Sequence, residues 1–215
     1  MERGENMNLI SQFNTCWTAK YTHVENAGDF YYKRNHGTLF IYLQCSNEDE
    51  DWKNNFDFPA KPYKRMGKTV WFAHRGFLRV WKSVEPYLTD AIMDETVKKI
   101  VIVGYSHGAA LAVLCHEYAW YNRPDLRGSI ESYAFGCPRV FWGIKTKKLK
   151  QRWEGFTVIR NIDDIVTHVP PFILGFSHVG KMLKIGEKGK YNAVDAHRYS
   201  NIVKELENYY DGISG

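Results

Sequence analysis

Val101-Ile102-Val103-Gly104-Tyr105-Ser106-His107-Gly108-Ala109-Ala110-Leu111 decides the reading of this chain. A β-branched apolar run feeds a Gly-x-Ser-x-Gly turn and then a run of small residues. That pattern predicts a strand bending sharply into a helix, with Ser106 at the bend. Gly104 and Gly108 lack the β-carbons that would collide with the turn and the helix after it. The backbone at Ser106 is expected to be strained, which lifts its hydroxyl clear of the strand ends. Helix amides after the bend point at the same spot, so the His107 N–H can receive an oxygen that becomes negative in a tetrahedral intermediate. Such an elbow suits a serine nucleophile, although a glycine-bounded turn can also carry an incidental serine.

Upstream, Phe30-Tyr31-Tyr32-Lys33 and Thr38-Leu39-Phe40-Ile41-Tyr42-Leu43 flank Arg34-Asn35-His36-Gly37, which reads as two antiparallel strands around a turn. Phe77, Val80, Trp81, Val84 and Leu88 recur at helical spacing, and Pro86 is expected to bend or divide that helix. A second amphipathic stretch runs to Lys99. Downstream, a helix over 108–120, a strand from Ile130 to Phe135, a basic helix near 144–153 and a strand from Phe156 to Arg160 alternate. This alternation predicts an α/β chain with a mostly parallel central sheet flanked by helices. Lys181 to Ile185 reads as a later strand ending at Gly186. Ile202, Val203, Leu206, Tyr209 and Tyr210 mark one buried face of a last helix.

The 215 residues suit one sizeable core, so residues 1–215 are expected to form a single domain. No apolar run reaches the roughly 18 residues that a membrane span requires. The start, MERGENMNLISQ, lacks a basic segment followed by an apolar one, so no secretory signal is visible and a cytoplasmic location is the default expectation. Cys16, Cys45, Cys115 and Cys137 show no paired metal or redox spacing and are expected to be reduced. The net charge of +5 is mild. The basic residues between Lys145 and Arg152 read as a solvated helix face, and no recognition motif accompanies them, so nucleic acid is not expected as a partner. Histidines and acids form no compact ligand motif, and neither a metal nor a cofactor is expected.

A neutral serine needs a base beside it and an acid to orient that base. In α/β-hydrolases the order along the chain is Ser, then Asp or Glu, then His. Asp163 and Asp164 both follow the strand ending at Ile162, and either fits by position. His168, His178 and His197 all lie far enough along to supply the base, and periodicity does not choose among them.

Tyr105-Ser106-His107-Gly108-Ala109-Ala110, Phe135-Gly136-Cys137-Pro138-Arg139-Val140 and Asp164-Ile165-Val166-Thr167-His168-Val169-Pro170-Pro171 stand in the order and approximate spacing of blocks in the class 3 lipases. His74-Arg75-Gly76-Phe77 upstream is also similar to that family. Together these blocks cover most of the chain from about residue 38 to 205. The resemblance implies an α/β-hydrolase fold with Asp164 as the acid, ahead of Ile-Val and the double proline. It implies His197, in Asp195-Ala196-His197-Arg198-Tyr199, as the base. Asp163 becomes a neighbour that faces solvent, and His168 and His178 become structural, as do the rings of His74 and His107. Trp52 looks like the tryptophan of the family's lid. Counting back from it places Ser46 at the family's oxyanion serine or threonine, to join the His107 N–H.

Some positions depart from the family. Gln44-Cys45 replaces the frequent Arg-Gly before the oxyanion residue, Tyr105 a usual histidine and His107 a usual leucine. The segment 47–56 is mostly polar, with Trp52 and Phe56 as its main apolar side chains, so strong interfacial activation is not expected and lipid-interface contact is expected to be weak. The short amino-terminal region favours a small or open ester site. Phe141, Trp142, Phe172, Ile173 and Leu174, with Trp52, are candidates to line an acyl site, or they belong to the core or rim. The expected activity is that of a serine carboxylic ester hydrolase acting on acylglycerol-type or smaller esters. A phospholipase or other acyl-hydrolase using the same residues is the nearest alternative. A hydrolase-fold binding module without turnover is a more distant one.

Overall fold

A computed structural model describes residues 3–24, 28–44, 60–66 and 68–214. In chain order the helices are α1 (Arg3–Thr18), α2 (Arg75–Met93), α3 (His107–Asn122), the short α4 (Lys147–Lys150) and α5 (Tyr199–Ser214). The strands are β1 (Asp29–Asn35), β2 (Thr38–Gln44), β3 (Ala60–Arg65), β4 (Lys68–His74), β5 (Lys99–Tyr105), β6 (Ile130–Phe135), β7 (Phe141–Trp142), β8 (Phe156–Asn161), β9 (Phe176–Ser177) and β10 (Lys181–Ile185).

The larger sheet has the order β1-β2-β5-β6-β8-β10. Its five strands from β2 to β10 run parallel, and β1 is antiparallel to β2, with Tyr31 opposite Tyr42. The β1–β2 turn uses positive φ at His36 (44°) and Gly37 (76°), as the sequence pattern requires. Side chains alternate between the two faces, which explains the unbroken apolar run of β5. Ile100 and Ile102, with Leu39, Ile41 and Leu43, pack under α2 and α3. Val101 and Val103, with Tyr42, Phe135 and Ile159, pack against Phe13 of α1 and Ile202 and Leu206 of α5. The central sheet is therefore covered on both faces.

Residues His107 to Ala119 of α3 are all buried, so that helix shows almost no polar side. The wholly buried Glu117 accepts bonds from Arg65 Nη2 at 3.1 Å and from Arg152, tying α3 to β3 and to the 151–153 turn. Arg152 therefore departs from the solvated-face expectation. A buried carboxylate needs a partner, and of the basic residues in this segment Lys147, Lys148 and Lys150 remain exposed. Three further expectations are corrected. α2 runs through Pro86 without dividing, it ends at Met93, and Lys99 opens β5. The basic segment makes only one short helix followed by a 3-10 turn.

A second, antiparallel sheet has the order β3-β4-β7-β9. Its inner face places Tyr63 against Trp71, and Trp71 stacks on Phe141 with ring centroids 5.4 Å apart. Trp153 meets Trp71 edge-on. Phe141 is buried in this cluster, so it belongs to the core and not to an acyl surface. Cys16, Cys115 and Cys137 are free and buried; Cys45 lies outside the described residues. Among the described residues no helix is long and apolar enough to cross a membrane.

Candidate active site

The bend after β5 has the geometry its spelling requires. Ser106 adopts φ 57° and ψ −123°, a region that costs a non-glycine residue energy, and it stands at the N-terminus of α3. A β-carbon on Gly104 would sit 2.4 Å from the Gly108 carbonyl oxygen, and one on Gly108 would sit 2.1 Å from the Leu43 carbonyl oxygen. Both glycines let β5, α3 and β2 approach at backbone distance. The Ser106 N–H donates to the Phe135 carbonyl at 2.9 Å, fixing the bend to β6.

Asp164 follows β8 and is fully buried. Its Oδ1 accepts the Val166 N–H at 2.8 Å, which sets the carboxylate plane. Its Oδ2 lies 2.8 Å from His197 Nδ1, and His197 Nε2 lies 2.8 Å from Ser106 Oγ. With Nδ1–H donating to the carboxylate, the neutral ring presents Nε2 as an acceptor to the serine hydroxyl. Gly136, with φ 57°, makes the room, because a β-carbon there would come within 2.6 Å of His197 Cε1. The Asn161 amide donates to the Ala196 carbonyl at 3.0 Å, anchoring the loop that carries His197.

The other candidates sit elsewhere. Asp163 accepts the backbone N–H of Gly189 at 2.8 Å and that of Tyr191, so it ties down a loop instead of facing freely into solvent. His178 Nε2–H donates to the Thr167 carbonyl at 2.8 Å, and burial pushes its pKa down to about 4. His168 bonds Arg160; burial first, and then the charges of Arg160 and Arg139, lower its pKa. The His107 ring is buried 5.0 Å from that of Phe77, leaving its backbone N–H in the first turn of α3, where helix amides lack internal acceptors. Ser46 and Trp52 lie outside the described residues.

Trp142, Phe172, Ile173 and Leu174 form an exposed apolar rim, with Ile173 90% exposed and Phe172 72%. Trp142 Nε1–H donates to the Leu174 carbonyl at 2.9 Å and its ring meets Phe72 edge-on, joining β4, β7 and the 172–174 turn. Phe176 pairs with Trp142 across β7 and β9, and ring contacts lead from Phe176 to His74, then to Phe77 and His107 at the elbow. Sequence reasoning missed the steric role of Gly136 and the contacts of Tyr105. Tyr105 immediately precedes Ser106, and its ring lies stacked on His197 with centroids 5.1 Å apart. A glycine inside the Phe135–Val140 block was the available signal for the first of these.

Residues 40–174 match the family model described as lipase (class 3), which is more than half of the chain. The chain belongs to the class 3 lipase family. The matched stretch holds Ser106 and Asp164 and ends before His197. Among curated proteins similar to this class 3 lipase family member, the lipase of Rhizomucor miehei is 27% identical over 149 residues, 67% of this chain and 40% of that lipase. The lipase of Rhizopus niveus is also 27% identical, over 66% of this chain and 37% of that lipase. The chain thus spans about two fifths of the length of the curated relatives it matches. A solved fungal lipase–inhibitor complex superposes with a TM-score of 0.75 at 18% identity, covering 95% of this chain and 98% of that one. A triacylglycerol lipase described as having a serine-protease triad at its catalytic centre gives 0.68 at 20% identity, covering 86% and 82%. These likenesses establish the α/β-hydrolase fold.

Proposed function

We propose that the chain is a serine carboxylic ester hydrolase acting on acylglycerol-type or smaller carboxylic esters. One observation carries this reading: the continuous chain of two 2.8 Å contacts from Ser106 Oγ through His197 to Asp164. As Ser106 Oγ attacks the ester carbonyl, His197 Nε2 takes its proton, and Asp164 stabilises the imidazolium that forms. The His107 N–H, at the positive end of α3, receives the developing oxyanion, with Ser46 as the second donor that the family resemblance implies. Collapse of the tetrahedral intermediate breaks the bond to the alcohol oxygen, which leaves with the proton from His197. Water then adds to the acyl-enzyme, giving up its proton to His197; the acyl–Oγ bond breaks, His197 returns the proton to Ser106 Oγ, and the acid is released.

The exposed rim of Trp142, Phe172, Ile173 and Leu174 supports an acyl-facing or lipid-facing mouth, since large apolar side chains clustered in water favour an apolar ligand. The test needs no guess at the substrate. An active-serine fluorophosphonate probe is expected to add once per chain, on Ser106, and not to His197→Ala; folded protein without an adduct on Ser106 would overturn the assignment. Rates on triglyceride, phospholipid and short soluble esters then discriminate the leaving group, which the nucleophile does not specify.

A further inference from the structure

The environment behind His197 contains more than its acid partner. Tyr105 is the last residue of β5, so it is as rigidly held as the elbow itself. Its ring lies nearly parallel to the imidazole, at 19° and 5.1 Å between centroids, while its hydroxyl donates to the His197 carbonyl at 2.7 Å. One side chain therefore grips both the ring and the backbone of the same residue. Burial, with the nearby Asp164 charge, raises the phenol pKa and keeps it a donor.

Tyr105 is itself braced by α1. Phe13 meets it edge-on at 5.5 Å and Trp17 at 5.8 Å. Phe13, fully buried, stacks on Phe135 at 4.0 Å. Trp17 stacks on Tyr199 at 4.7 Å, and the Tyr199 hydroxyl donates to Asn14 Oδ1 at 2.5 Å. Tyr199 opens α5 two residues after His197. The loop bearing His197 is thus held from β5 on one side and from α1 on the other.

We infer that Tyr105 is a positioning residue for His197, fixing the imidazole between Ser106 and Asp164, and that Phe13 and Trp17 of α1 hold Tyr105 in place for that task. This rests on the reading of His197 as the base. A misplacement of about 1 Å in such a relay is enough to cost roughly a hundredfold in rate, whereas a merely structural tyrosine would affect melting without affecting turnover selectively.

The experiment compares the wild-type chain with Tyr105→Phe, Tyr105→Leu and Trp17→Leu. It measures the fluorophosphonate addition rate at Ser106, kcat and KM on a short soluble ester, and the downfield 1H NMR resonance of the His197 Nδ1–H. Folded Tyr105→Leu is expected to lose about tenfold or more in kcat and in addition rate with KM little changed, and its Nδ1–H resonance to broaden or vanish. Tyr105→Phe, which keeps the stack and loses the donor, is expected to fall between, and its partial rescue marks the stacked ring as part of the grip. Wild-type kcat and resonance in folded Tyr105→Leu would overturn the inference. Should Tyr105→Leu not fold, Tyr105→Phe and Trp17→Leu decide: a lowered kcat with a perturbed resonance in either supports it, and wild-type behaviour in both overturns it. Failure of the underlying reading is separate, since wild-type protein would then not react at Ser106 at all.

Discussion

Gly136 carries the tightest steric condition around His197. Its positive φ disfavours any side chain, and the β-carbon of alanine would meet His197 Cε1 at 2.6 Å and Nδ1 at 2.7 Å. Gly136→Ala is expected to displace the imidazole and reduce kcat by about tenfold or more, read with a soluble ester alongside circular dichroism that stays native. Ser106→Ala should abolish turnover, by roughly a thousandfold or more, with no loss of melting temperature, because the hydroxyl supports no packing. Asp164→Asn leaves the shape but favours the wrong tautomer, and kcat should fall by about 10⁴-fold. The elbow and its proposed nucleophile were legible because Gly-x-Ser-x-Gly is a local backbone requirement written in five residues. Position and periodicity alone did not separate the acid and base, since Asp163 and Asp164 are adjacent and three histidines lie late enough in the chain; the family resemblance pointed to Asp164 and His197 by their neighbours. The physical basis for pairing Asp164 with His197 is a contact across 33 residues, formed when β8 and the 195–197 turn are placed beside the elbow.

At the scale of elements, α3 crosses the end of β2 at backbone distance. A methyl at Gly108 would overlap the Leu43 carbonyl at 2.1 Å. Overpacking a backbone-to-backbone contact costs about 1–3 kcal/mol, so Gly108→Ala should lower the urea midpoint by a corresponding amount and tilt the first turn of α3. The parallel strands could be read in advance because β5, β6 and β8 are short apolar runs spaced by helical segments. The second sheet could not. β7 and β9 are two residues each, below the length at which alternation is visible, and β3 spells Ala-Lys-Pro-Tyr-Lys-Arg with Tyr63 as its one buried apolar side chain. Pro86 misled for a related reason, because α2 is held along its length by Phe77, Trp81, Val84 and Leu88, and burial of that face outweighs one missing hydrogen bond.

Across the whole molecule, buried neutral histidines set the response to acid. His178, held at about 4, and His116, held at about 3 by burial while it bonds Ser132, have an ordinary value of 6.5. Between those limits the unfolded chain binds protons that the native chain refuses. Stability is therefore complete above about pH 6.5 and declines as the pH falls towards 4. His178 alone accounts for on the order of 3 kcal/mol of this, and thermal melts at pH 7 and 5 should show a slope that His178→Gln flattens. The apolar rim, proposed to face acyl chains or lipid, is tested on the scale of a lipid surface. Phe172→Glu with Ile173→Glu should lower the rate on emulsified ester by about tenfold and leave a soluble ester unaffected, whereas equal losses on both would place the rim at the acyl group itself. The order of Ser106 and His197 along the chain has a further effect during synthesis. The proposed nucleophile is translated ninety-one residues ahead of the proposed base, and the helix that follows that base packs against α1 in the same buried cluster. On the proposed assignment, a nascent chain that ends before residue 197 is therefore expected to leave Ser106 unreactive towards a fluorophosphonate, and reactivity to begin when the last helix docks.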